Sequence, residues 1–167
     1  MKIGFVTCVE LGLSCMNAIY DAGGILKVVF TLKDEASKLK SGRVYLDDFC
    51  KNNVIDLVKV DHINDHRVIT EIKKHDLDWL FIIGWSQIAD KPLLDAPKSG
   101  VLGMHPTLLP KGRGRASIPW AIIKGLDETG VTLFKLDEGV DTGPILSQFK
   151  IPLFKGITST ELYNLVN

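Results

Sequence analysis

Residues 100–143 read GVLGMHPTLLPKGRGRASIPWAIIKGLDETGVTLFKLDEGVDTG, and this stretch decides the fold. The apolar run Val101-Leu102-Gly103-Met104 ends at His105, and a Pro-rich loop carrying three basic residues follows. A helix-like segment, a β-rich segment and an acidic turn presenting Asp141 come next. Open α/β sheets bind ligands beyond the carboxyl ends of their strands, so a short buried strand that ends at a titratable residue marks the reactive edge. His105 and Asp141 can meet there only if the intervening helix returns the chain to the same edge, as a βαβ crossover does.

The rest of the chain has the same rhythm. Residues 2–7, 25–32, 55–60 and 78–84 are short apolar runs rich in β-formers, the pattern of strands buried in a parallel sheet. The run 78–84 (DWLFIIG) is the most hydrophobic of them, which predicts a central position. Leu13, Met16, Ile19 and Tyr20 recur at helical spacing until Gly23-Gly24 stops them. A second helix is predicted over 44–53, and a third over 65–75 with Val68, Ile69 and Ile72 on one face. Between these, 33–43 (KDEASKLKSGR) has mixed charge and no period; it reads as a solvated loop or as a mobile flap over the site.

Further along, helices are predicted over 91–96 and 117–125, the second with Pro119 in its first turn, where a missing N–H does no harm. Strands are predicted over 129–136 and 144–151. A last helix starts at Ser159 and carries Leu162, Leu165 and Val166. It stops at Asn167 without a capping glycine or polar tail, so the expectation is one domain over 1–167, cut short at its C-terminal end.

The totals exclude several classes. With 46% apolar and 24% charged residues, a chain of 167 can bury a core without disulfides or metal. Twenty basic residues balance twenty acidic ones, so no global field recruits nucleic acid or a membrane, and any anion binding is local. Cys8, Cys15 and Cys50 lack CxxC spacing and fit buried thiols in a reducing compartment. No signal peptide precedes the first strand pattern, and no apolar run nears the roughly 20 residues that span a bilayer. A cytoplasmic protein without a membrane partner is therefore expected. The turn after the first strand has no GxGxxG, which argues against a dinucleotide.

His105 alone reads more readily as structural, and Asp141 as a turn residue. Together at one sheet edge they form a proton-transfer pair, in which the carboxylate orients the imidazole and offsets its charge. Lys111, Arg113 and Arg115 share a loop with Gly112 and Gly114: either a solvated basic loop, or one whose peptide N–H groups and cations take a phosphate or carboxylate. His62 and His66 lie four apart beside Asp61 and Asp65 but have no matching third ligand, so a solvated helix start is the reading and no metal is expected.

Three motifs carry a resemblance: HPTLLPKGRGRASIPWAIIKG at 105–125, ETGVTLFKLDEGVDTGPIL at 128–146 and, more weakly, MKIGFVTCVELGLSCMNAIYDAG at 1–23. The chain resembles the folate-dependent formyltransferase family, in particular the catalytic N-terminal domain of methionyl-tRNA and sugar N-formyltransferases. The resemblance implies an α/β fold with a Rossmann-like, mostly parallel twisted sheet flanked by helices. It implies 10-formyltetrahydrofolate as formyl donor and a primary amine as acceptor, with small molecules as partners.

The family's catalytic trio of Asn, His and Asp then falls on Gly103, His105 and Asp141, so the amide donor is missing. Losing one oxyanion donor typically costs about two to three powers of ten in rate. A water, or Ser86 or Gln87 from the neighbouring strand end, is expected in the vacated space. By the same resemblance Phe81, Ile83, Gly84, Trp85 and Ile88 contact the folate, and Asp137, Gly139 and Val140 close over it. Gly103, Pro106, Lys111, Arg113 and Arg115 are assigned to the acceptor. Neutral net charge argues against RNA, so the preferred acceptor is a nucleotide-linked amino sugar made for surface polysaccharides. Methionyl-tRNA is the alternative if a further domain follows. Glycinamide ribonucleotide is a third acceptor, and a folate- or nucleotide-binding module with little turnover is the reading Gly103 invites. A homodimer is compatible with the resemblance.

Overall fold

Alternation of short apolar runs with amphipathic stretches becomes alternation of strand and helix in the computed structural model, which describes residues 1–37 and 42–167. In chain order the elements are β1 (Ile3–Val6), α1 (Glu10–Asp21), β2 (Leu26–Leu32), α2 (Asp34–Ser37), α3 (Asp47–Asn52), β3 (Asp56–Val60), α4 (His66–Lys74), β4 (Trp79–Ile83) and α5 (Lys91–Leu94). There follow β5 (Gly100–His105), α6 (Ser117–Ile123), β6 (Glu128–Lys135), β7 (Ile145–Pro152) and α7 (Ser159–Val166). The seven strands take the order β3-β2-β1-β4-β5-β6-β7, with the very hydrophobic β4 fourth of seven, as its composition predicts.

The chain forms two compact units, Met1–Leu102 and Gly103–Asn167. In the first, β1 pairs in parallel with β2 and β4, and β2 with β3. Phe5, Val6, Val28, Val29 and Phe30 have no solvent exposure, which is why these strands read as unbroken apolar runs rather than alternating ones. Each such side chain contributes roughly 1.5–3 kcal/mol by leaving water. Phe5 stacks on Phe81 with ring centroids 5.9 Å apart. Helix α1 buries Leu11, Gly12 and Met16, and α4 buries Val68 and Ile72, with Ile69 half-buried at the margin of the predicted face. No disulfide is present: Cys8 and Cys50 are buried and Cys15 half-buried. Burial pushes the Cys15 and Cys50 thiols up to about 11.

The mixed-charge stretch departs from a plain loop. Asp34 and Glu35 start the short helix α2, where acidic side chains favour the N-terminal end, while 38–41 lie outside the described residues, and with them that part of the flap reading. Helix α3 starts three residues later than predicted because Arg43 bridges Val9 and Val44 donates its N–H to Cys8 O. Arg43 anchors the segment: its guanidinium donates to Thr31 Oγ1 and Leu32 O and lies over the Tyr45 ring.

In the second unit β6 and β7 form an antiparallel ladder from Glu128↔Pro152 to Phe134↔Ile145. Phe134 and Leu162 are fully or nearly buried, and α7 opens with a capping box in which Thr158 and Glu161 exchange hydrogen bonds. Strand β7 is mostly exposed, Phe149 at 70%. Among the described residues no helix is long and apolar enough to cross a membrane.

Candidate active site

The second unit brings together the two residues on which the sequence reading turns. His105 is the last residue of β5 and is buried. From there α6 leads back to the start of β6, and β6 delivers the chain to the turn that holds Asp141. His105 Nδ1 lies 3.6 Å from Asp141 Oδ2, within ion-pair reach and just beyond a hydrogen bond. The other ring nitrogen, Nε2, is 2.9 Å from Gly112 O. A carbonyl oxygen only accepts, so Nε2 carries a proton and donates it. Nδ1 is left facing the carboxylate.

Asp141 has φ 53°, the left-handed region that aspartate visits more readily than most residues but still sparsely. Its Oδ2 accepts the N–H of Gly114 at 2.8 Å. Gly114, with φ 93°, reaches that position because it has no Cβ to clash. Gly112 through its carbonyl and Gly114 through its N–H thus face the His105–Asp141 pair, a role that neither of the two readings of the loop included.

Lys111, Arg113 and Arg115 are exposed on the same loop, and among the described residues their side chains have no ion-pair partner. They border a cavity of about 690 Å³ within this unit, together with Leu108, Trp120 and Lys124. Small-ligand cavities fall in this size range. Lys124 Nζ sits 5.8 Å from the centroid of the half-exposed Trp120 ring. Pro106, next in the chain after His105, is half-buried.

Gly103 differs from its expected role. It is buried, and a Cβ built there would lie 2.6 Å from Leu136 Cδ2 and 3.4 Å from Phe134 Cε1. The space is filled by leucine, so there is neither a vacancy for water nor an open face for an acceptor. Gln87 is engaged elsewhere as well: its Oε1 accepts from Ile63 N at 2.8 Å and Trp85 Nε1 at 3.2 Å, and its Nε2 donates to Asp61 O at 2.9 Å. Ser86 likewise has a partner.

The residues assigned to folate divide between the units. In the first, Phe81 is half-buried against Phe5, Ile83 is 2% exposed and packed in the core, Trp85 is half-buried, and Ile88 is exposed. Gly84 has φ 66°, and a Cβ there would meet Val9 Cγ2 at 2.2 Å, so only glycine turns the chain at this strand end. In the second, Asp137 Oδ1 accepts from Gly139 N at 3.0 Å and Thr142 Oγ1 at 2.6 Å, which braces the turn and leaves Val140 exposed. His62 and His66 serve local contacts: His62 Nδ1 accepts from Asn64 N, and His66 Nδ1 pairs with Thr70 Oγ1. Among the described residues no cluster of three or more His, Cys, Asp or Glu could hold a metal ion.

Residues 22–167 match the model of a protein family described as formyl transferase. The chain belongs to the formyl transferase family. Its relatives include methionyl-tRNA formyltransferases of Clostridioides difficile, 32% identical over 166 residues, and of Legionella pneumophila, 30% identical over 168. Each alignment covers 98% of this chain, and 54% and 53% of those proteins, so the chain spans about half the length of these relatives. Among solved structures, glycinamide ribonucleotide transformylase 1 from Symbiobacterium toebii superposes with a TM-score of 0.83 at 21% identity, covering 99% of this chain and 80% of that one. WlaRD, a sugar 3N-formyl transferase solved with dTDP and 5-N-formyl-THF, superposes with a TM-score of 0.72 at 23% identity, covering 99% and 57%. These likenesses establish the fold of this chain as the α/β, mostly parallel sheet that the family resemblance implied.

Thr132 and Gln148 are what sequence reasoning missed here. Both lie in strand patterns, and nothing in their spacing distinguishes them from ordinary polar strand residues.

Proposed function

We propose that this chain carries the reactive centre of a folate-dependent N-formyltransferase. The observation that supports the reading most directly is the 3.6 Å approach of His105 Nδ1 to Asp141 Oδ2 at the end of β5, in a chain of the formyl transferase family. A neutral amine attacks the formyl carbon of 10-formyltetrahydrofolate, a C–N bond forms, and the carbonyl oxygen becomes an oxyanion. His105 Nε2–H donates to that oxygen, which takes the place of Gly112 O. Asp141, directly or through water, accepts the proton shed by the amine; collapse of the intermediate breaks the bond to the folate nitrogen, which takes up that proton as tetrahydrofolate leaves. Gly103 has no side chain, so no amide assists from that position.

The preferred acceptor is a nucleotide-linked amino sugar. Three unpaired cations bordering a cavity of small-ligand size suit a diphosphate, and a balanced net charge does not suit a long RNA. A second acceptor, methionyl-tRNA, is favoured by the names of the relatives at about 30% identity. The deciding experiment incubates the protein with 10-formyltetrahydrofolate and either dTDP- or UDP-linked amino sugars or methionyl-tRNA, and weighs the products. Formylated sugar is the expected result. Formylated methionyl-tRNA alone would replace the first acceptor by the second, and no product with any amine would end the transferase reading.

A further inference from the structure

Thr132 has no solvent exposure, yet its hydroxyl is fully used. Oγ1 donates to Thr107 O at 2.6 Å and accepts from Leu109 N at 3.1 Å and from Gln148 Nε2 at 2.9 Å. One hydrogen and two lone pairs are all that a hydroxyl offers. The second N–H of the Gln148 amide donates to Leu109 O at 2.8 Å. Both peptide groups of Leu109 are therefore tied to side chains of the β6–β7 ladder, and so is the carbonyl of Thr107. Thr107 N in turn donates to His105 O, and Lys111 N to Leu108 O. From this anchor the chain runs two residues back to His105 and three forward to Gly112, whose carbonyl holds His105 Nε2. Two residues further on, Gly114 N–H holds Asp141.

The loop needs such an anchor. Gly112 and Gly114 both lie at positive φ and restrict their own torsions least of all residues. Lys111, Arg113 and Arg115 are exposed, so their side chains bury little that could hold the loop. Without a fixed root, the two peptide groups that orient the reactive pair would wander. The Thr132 hydroxyl, with its hydrogen and both lone pairs engaged, fixes one arrangement of its partners, although the buried Thr107 Oγ1 beside it has no hydrogen-bond partner among the described residues.

We infer that Thr132, seconded by Gln148, is a positioning residue for His105 and Asp141, acting through the 107–114 loop that it roots to the β6–β7 ladder. The inference rests on the formyl-transfer reading for its kinetic consequence but not for its structural one. Neither residue touches the reacting atoms. A displacement of about 1 Å at a reacting group can cost about a hundredfold in rate, and the effect should fall on kcat.

The test compares Thr132→Val, isosteric but without the hydroxyl, with Thr132→Ser, which restores it. Gln148→Leu, at the exposed margin of the network, serves as a milder variant that keeps the test decisive if Thr132→Val does not fold. Expected are a fall in kcat of about a hundredfold for Thr132→Val, a smaller fall for Gln148→Leu, little change in KM, a displaced pH–rate profile, and recovery in Thr132→Ser. Wild-type kcat and pH profile in Thr132→Val and Gln148→Leu would overturn the inference. So would a loss of activity that tracks thermal unfolding and leaves the pH profile in place. If the wild type transfers no formyl group, the His105 imidazole resonances and hydrogen exchange at the Leu109 amide decide instead. The inference then stands if Thr132→Val loses the His105 Nε2–H signal and the Leu109 protection while Thr132→Ser keeps both, and it falls if Thr132→Val keeps them.

Discussion

The left-handed backbone at Asp141 allows charge to be separated from shape. Asparagine tolerates this region about as well as aspartate, and its side-chain oxygen can still accept the Gly114 N–H. Asp141→Asn therefore removes the negative charge beside His105 and little else. The expected result is a kcat lower by about 10²–10⁴ with an unchanged melting temperature, read from steady-state formyl transfer and thermal unfolding of the same preparation. Gly103 gives the complementary case. An asparagine there would drive its Cβ against Leu136, so Gly103→Asn alone should unfold at lower temperature, by about 1–3 kcal/mol of overpacking. Gly103→Asn with Leu136→Ala should recover stability and raise turnover, which a paired melting and rate measurement will show. His105 and Asp141 were legible in the sequence because each ends an apolar or turn pattern at a sheet edge. Leu136 was not, since nothing in a strand-end leucine says which glycine it covers.

At the scale of the element, the capping box of α7 lends itself to measurement. Thr158 Oγ1 accepts from Glu161 N at 3.2 Å, and Glu161 Oε2 accepts from Thr158 N and Oγ1, each at 2.8 Å. Thr158→Ala should cost about 1 kcal/mol, seen as a lower denaturation midpoint. The backbone N–H of Thr158, and then its hydroxyl, hold the Glu161 carboxyl below its usual range. A carboxyl depressed in the folded state adds stability above its unfolded pKa and loses it as the pH falls through the folded value. The stability gap between wild type and Glu161→Gln should accordingly be open at neutral pH and close in acid; a gap that does not change with pH would exclude the carboxylate from the cap. Strands and helices were legible as elements because their periods are set by local geometry. Their ends were less so: the start of α3 depends on Arg43 and Val44 being held by contacts with Thr31, Leu32 and Cys8, partners remote in sequence.

Over the whole molecule, charge is balanced and the cations that matter are local. Twenty basic and twenty acidic residues leave no net field to concentrate an anionic acceptor. On the proposed reading, attraction to the site comes chiefly from Lys111, Arg113 and Arg115, whose side chains have no ion-pair partner among the described residues. The fold itself needed no such detail to be read, because repeated apolar runs between amphipathic stretches admit few arrangements other than an open parallel sheet. The identity of the acceptor is written in individual side chains, where pattern gives no help. Replacing each cation by glutamine makes the point testable. A charge-assisted contact is worth roughly 1.5–3 kcal/mol, so losing one that bears on the acceptor should raise its KM at least about tenfold and leave the KM for 10-formyltetrahydrofolate in place. Raising salt from about 0.1 M to 1 M shortens the Debye length from about 10 Å to 3 Å. The wild-type KM for an anionic acceptor should climb over that range, and the triple variant should be nearly indifferent to it. A triple variant with the wild-type salt response would show that the attraction comes from elsewhere on the surface, and the assignment of this loop to the acceptor would fail.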